Sequence, residues 1–191
     1  MNAPREGART FVALALGPEL GERVARAVAE VLDARAFRLP YAEGLHLTLA
    51  FLGDVERARL AGLGSALAGA LAGVAAPALR LGGTGAFPSL ARARVLWVGV
   101  EERATTGRLA ACHAAVRVAL ASAGLAADER FAPHVTVARP RGARARLPEA
   151  FAALRFDLAW DPAAVELFES VPGPGGSRYE VRARFPFPPL G

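Results

Sequence analysis

Residues 10–16, Thr-Phe-Val-Ala-Leu-Ala-Leu, form a short apolar run that ends at Gly17-Pro18, after which apolar positions recur at Leu20, Val24, Val28, Val31 and Leu32. The run has the length of a strand and the recurrence is that of a helix face, so the pattern predicts strand, turn and a helix over 18–34. The same succession repeats. Residues 45–52 alternate and predict a strand, Gly53-Asp54 offers a helix start, and 55–74 carry a long helical pattern. Two strands follow over 78–86 and 94–100, the second rich in β-branched and aromatic residues. A helix is predicted over 105–123, with Leu109, Cys112, Val116 and Leu120 on one stripe and Gly124 closing it. Residues 134–138 alternate between Pro133 and Pro140. Residues 165–171 and 178–185 predict an antiparallel hairpin about a Gly/Pro-rich turn. Strands outnumber helices and several are joined as hairpins, which favours α+β over a doubly wound parallel sheet.

One internal echo stands out. Gly44–Gly53 (GLHLTLAFLG) and Ala132–Gly142 (APHVTVARPRG) share the order His, apolar, Thr, apolar, Ala, about half a chain apart. Alternate residues of a strand share a face, so His46 lies with Thr48 and His134 with Thr136, while Leu47 and Val135 turn the other way. A single His-x-Thr tripeptide carries little information. With three histidines in the chain, finding two that are followed by Thr at this spacing has a chance of roughly 0.3% by composition, so the pair is a signal. His113 sits in a helical pattern without such context and reads as structural.

Imidazole titrates near neutrality, so of two rings one can take a proton while the other gives one. In-line displacement at phosphorus needs that pair, because nucleophile and leaving oxygen lie on opposite sides. Threonine hydroxyls beside the rings can donate to the non-bridging oxygens as charge develops. A metal fits less well. Glu43, Asp54 or Asp128 could join the histidines, but there is no His-x-His or His-Glu-x-x-His motif and no carboxylate cluster. Gly82-Gly83-Thr84-Gly85 lacks the Lys-Ser/Thr helix start of a phosphate loop and reads as a strand end or turn.

Composition narrows the picture further. All 23 basic residues are arginine against 18 acidic ones, a net charge of +5 that favours polyanionic partners. Cys112 is the single cysteine, which excludes an internal disulfide framework and suits a cytoplasmic setting. Apolar windows such as 60–81 are cut by Gly, Arg, Ser and Pro, which argues against a membrane role.

The run of motifs RTFVALAL, HLTLAFLG, GAFPS with ARVLWVGV, RFAPHVTVAR, LFESV and YEVRARF resembles the two-histidine (2H) phosphoesterases. The closer resemblance is to the bacterial and archaeal RNA 2′,3′-cyclic phosphodiesterases once named 2′-5′ RNA ligases. It implies one bilobal α+β domain over 1–191, with two pseudo-symmetric lobes, outer helices, a central cleft and one HxTx motif per lobe. It implies hydrolysis of a terminal 2′,3′-cyclic phosphate to a 2′-phosphate without metal or cofactor. His46 would be the proton donor and His134 the proton acceptor; Thr48, Thr136 and Arg139 would bind substrate. Partners would be RNA ends, tRNA fragments among them, or small cyclic nucleotides, acted on by a monomer. Strand parity sets Arg139 against His134 and Thr136, so it reaches the cleft only if the strand bends or ends. Ligation by the reverse chemistry and RNA binding without turnover remain the alternatives.

Overall fold

The computed structural model describes residues 7–126, 131–142, 146–173 and 176–189. In chain order the elements are β1 (Gly7–Ala15), α1 (Pro18–Val31), β2 (Phe37–Arg38), β3 (His46–Glu56), α2 (Arg57–Leu71), β4 (Leu79–Phe87), β5 (Val95–Glu102), α3 (Arg108–Ser122), β6 (His134–Pro140), α4 (Glu149–Ala153), β7 (Arg155–Trp160), β8 (Ala164–Gly173) and β9 (Gly176–Pro186). The strands form one antiparallel sheet in the order β7-β4-β5-β6-β3-β1-β8-β9, with β2 on β6.

That order is symmetric about the β3–β6 junction. One lobe holds β3, β1, β8 and β9; the other holds β6, β5, β4 and β7, each strand matching its counterpart outward from the centre. Within each lobe a strand, a helix, the motif strand and a second helix follow in sequence, β1-α1-β3-α2 and β5-α3-β6-α4. The two-lobed α+β architecture expected from the sequence is therefore the one observed.

Apolar periodicity explains the packing. Val24 and Val28 of α1, Leu63, Leu67 and Leu71 of α2, the α3 stripe of Leu109, Cys112, Val116 and Leu120, and Phe151 of α4 all enter one core cluster. Leu47 of β3 and Val135 of β6 are fully buried in that cluster, so the motif strands are anchored by the face away from their histidines. A small second cluster of Phe11, Ala13 and Phe168 is separate from it. Buried Glu169 of β8 accepts from Arg57 at 2.7 Å and from Arg182 Nε at 2.7 Å, tying the start of α2 and strand β9 to β8. These bonds outweigh burial and hold its carboxyl below the usual range. Among the described residues no helix is long and apolar enough to cross a membrane.

Several expectations shift. Gly53-Asp54 does not start a helix: β3 runs on to Glu56, with Gly53 at φ 71° beside a bulge against Thr10 and Phe11. A glycine in left-handed conformation extends the strand through a bulge, at no cost from a Cβ. Gly82–Gly85 likewise lies inside β4 rather than at its end. The pairing of β4 with β5 shifts between Leu81 and Thr84, and a Cβ on Gly85 would collide with the Trp97 indole. Strands β2 and β7 and helix α4 were not predicted; they are two, six and five residues long, too short for a clear period.

Candidate active site

β3 and β6 meet at the sheet's centre through the pair Leu47–Val135. Continuing this antiparallel register by one residue in each direction sets His46 level with Thr136 and Thr48 level with His134. The two imidazoles thus lie on a diagonal of one sheet face, where neighbours are typically about 7–8 Å apart, and each faces the other strand's threonine. The sequence-predicted His46, Thr48, His134 and Thr136 come together here. His113 does not: it sits on α3, stacked on Phe131 with ring centroids 4.0 Å apart.

Both histidines are held in the same way. Nδ1 of His46 donates to the Gly44 carbonyl at 2.6 Å, and Nδ1 of His134 donates to the Ala132 carbonyl at 2.6 Å. A carbonyl only accepts, so each bond requires the proton on Nδ1 and leaves Nε2 as the working nitrogen. A neutral ring then offers a lone pair at Nε2, and a charged ring offers a proton there. The surroundings differ between the lobes. His46 stacks on Phe11 at 4.6 Å and meets the edge of Tyr179 at 5.1 Å, whereas His134 meets the edge of Phe87 at 5.0 Å. Burial among these rings drives the His46 pKa down to about 4; the Gly44 carbonyl opposes the shift, and His134 adds to it.

A cavity of about 400 Å³ opens over this face, lined by His46, Thr48, Thr136 and Arg139 among others. His134, half-buried, is not among the lining residues and lies on the same sheet face through its register with Thr48. Arg139 lines the cavity despite its parity, and the cause is visible in the register. β5 pairs Leu96 with Ala138 and Trp97 with Thr136, so Val137 is an inserted residue. An inserted residue reverses the alternation beyond it, which buries Val137 and Ala138 in succession and exposes Arg139. β3 does the same at Leu49: β1 pairs Val12 with Ala50 and Ala13 with Thr48, which buries Leu49 and Ala50 in succession and brings Phe51 to the cavity. The shared pattern His, apolar, Thr, apolar, Ala therefore corresponds to a shared bulge, and Phe51 is the first lobe's counterpart of Arg139.

Sequence reasoning missed other lining residues. Arg9 lies over the Phe51 ring, 5.1 Å from its centroid. Arg38 is paired with Arg139 through the two-residue strand β2, and Tyr179 with Ser177 arrives from the C-terminal hairpin. Arg38 and Ser177 lie in no motif, while Arg9 and Tyr179 open the runs RTFVALAL and YEVRARF, neither of which marks them as cavity residues. Asp128, weighed as a metal ligand, lies outside the described residues, and among those described no three His, Cys, Asp or Glu side chains group as a ligand set.

A model of the 2′-5′ RNA ligase superfamily matches residues 16–173, most of the chain and both histidine strands. The chain belongs to that superfamily. It is 29% identical over 180 residues to the RNA 2′,3′-cyclic phosphodiesterase of Thermotoga maritima, covering 91% of this chain and 92% of that protein. It is 36% identical over 165 residues to the protein of the same name from Geobacillus stearothermophilus, covering 85% of this chain but 49% of the relative, so it spans about half of that relative's length. The crystal structure of E. coli LigT complexed with 3′-AMP is similar at a TM-score of 0.77 and 29% identity, over 95% of this chain and 99% of LigT.

Proposed function

We propose that this chain hydrolyses the 2′,3′-cyclic phosphate at an RNA end to a 2′-phosphate, with His134 as base and His46 as acid. The reading is carried by the paired imidazoles, each tied by Nδ1 to the carbonyl two residues before it, on one face of two adjoining strands. Relatives named RNA 2′,3′-cyclic phosphodiesterase support the substrate class. Nε2 of His134 takes a proton from water as its oxygen attacks phosphorus. The P–O3′ bond breaks on the opposite side, and Nε2–H of His46 protonates the departing 3′ oxygen, leaving a 2′-phosphate and a 3′-hydroxyl. Thr48 and Thr136 donate to the non-bridging oxygens, and the Arg139 guanidinium balances their charge.

The test is incubation of an oligonucleotide ending in a 2′,3′-cyclic phosphate with the chain in excess chelator, followed by chemical identification of the end. A 2′-phosphate is the expected product. A 3′-phosphate would assign the leaving oxygen wrongly, and an intact cyclic end would remove the proposed activity.

A further inference from the structure

Beyond the catalytic cavity a second groove of about 1130 Å³ is lined by Arg92, Arg94, Arg146, Leu90, Gly142 and Glu149, among others. Arg92 and Arg94 come from the β4–β5 connection, and Arg146 from the segment before α4. All three are exposed. Among the described residues none of them has a carboxylate within ion-pair distance, although Glu149 lines the same groove. Among the described residues the groove therefore holds three guanidinium groups without a carboxylate partner against one carboxylate, Glu149.

Its position relative to the cavity gives that charge a use. The cavity ends on Arg139 and the groove includes Gly142, three residues apart, and three residues span at most about 11 Å. β5 runs beside β6 so that Leu96 pairs with Ala138, which brings the connection bearing Arg92 and Arg94 to the same end of β6. Arg38, Arg139 and the groove arginines then form a basic path leading out of the cavity on the second lobe's side. The opposite wall carries one guanidinium, Arg9, beside Ser170, Ser177 and Tyr179, so the greater positive charge lies on the second lobe's side. Leu90, 48% exposed, leaves apolar surface among the guanidinium groups for a base to cover.

We propose that this groove is the track of the RNA strand 5′ to the reacting nucleotide, with Arg92, Arg94 and Arg146 gripping its backbone phosphates. The proposal rests on the cyclic-phosphate reading of the cavity. It makes the chain a reader of strand length: a mononucleotide fills the cavity alone, while an oligonucleotide also fills the groove. Phosphate contacts carry no base preference, so the track would accept any sequence.

Binding and turnover test it separately. Fluorescence anisotropy would follow a single-stranded octanucleotide ending in a 2′-phosphate on the wild type and on the R92A/R94A/R146A variant, with circular dichroism confirming the variant's fold. Each single-strand phosphate contact contributes about 0.7 to the slope of log affinity against log salt. The variant's slope should therefore be shallower by about 2, so that between 50 and 200 mM salt the wild type loses about 20-fold more affinity than the variant does. In turnover, the wild type's preference in kcat/KM for a cyclic-phosphate octanucleotide over a cyclic mononucleotide should collapse towards one in the variant. Equal slopes and an unchanged preference would overturn the track. A wild type that hydrolyses neither substrate would overturn the reading of the cavity, and the anisotropy slopes would still decide the groove.

Discussion

An acid must hold a proton when its leaving group departs, yet burial leaves His46 with a pKa of about 4, almost fully neutral at pH 7. The substrate itself supplies the correction. A unit negative charge about 4 Å from the ring, at the effective dielectric constant of about 20 suited to a partly exposed site, interacts by about 4 kcal/mol. At about 1.4 kcal/mol per pKa unit that is roughly three units, enough to bring His46 back to near neutrality. Binding a phosphate-bearing ligand should therefore draw a proton onto His46. Nitrogen-detected NMR of the ring in the free protein and with saturating nucleoside 2′-monophosphate measures it directly; the expected result is a midpoint near 4 that rises by about three units. A free midpoint near 6.5, or one that ligand leaves unmoved, would refute the reasoning. The same shift has a stability consequence. Between pH 6.5 and 4 the unfolded chain binds a proton that the native ring refuses, so the free protein loses stability as pH falls through that window, by up to about 3 kcal/mol. A His46→Gln variant should lack that loss.

Other outcomes follow from the same geometry. His46→Ala and His134→Ala should each lower kcat by about 10²- to 10⁴-fold with the thermal transition retained, because both rings lie on the face away from the main core; near-normal turnover in either would remove that residue from the chemistry. Thr48→Val and Thr136→Val should lower the maximal rate while leaving the shape of its pH dependence in place, since each removes a donor and no titrating group. Leu47→Ala, which empties a fully buried position directly behind the motif, should cost about 2–5 kcal/mol in denaturant unfolding; a loss below 1 kcal/mol would show that the core there is not well packed.

The sequence disclosed the site's centre and concealed its rim. His46, Thr48, His134 and Thr136 were legible because alternation in a strand depends only on local backbone geometry and held unbroken over those three-residue stretches. For Arg139 parity counted against the place that the resemblance implied, because counting parity presumes that no residue is inserted, and Val137 is. The hint was present: Leu49-Ala50 and Val137-Ala138 are consecutive apolar residues in strands that otherwise alternate, at matching places in both motifs. Arg38 was invisible for another reason, since a two-residue strand has no period. The hairpin that carries Tyr179 was legible, but that it brings Tyr179 to His46 depends on β8 docking beside β1, a long-range pairing that no local pattern reports. The helix stripe of Leu109, Cys112, Val116 and Leu120 and the C-terminal hairpin held as expected, since both are set by neighbours close in sequence.

The central claim is that one imidazole gives a proton while the other takes one, and the pH dependence of kcat for a cyclic-phosphate oligonucleotide tests it most directly. Low pH protonates the base His134, and high pH strips the acid His46, so the profile should be a bell that falls on both sides, with limbs belonging to the coupled pair. A His46→Ala variant should keep its residual rate without the high-pH fall. A wild-type rate that rises steadily with pH, as for attack by free hydroxide, would contradict paired-histidine catalysis.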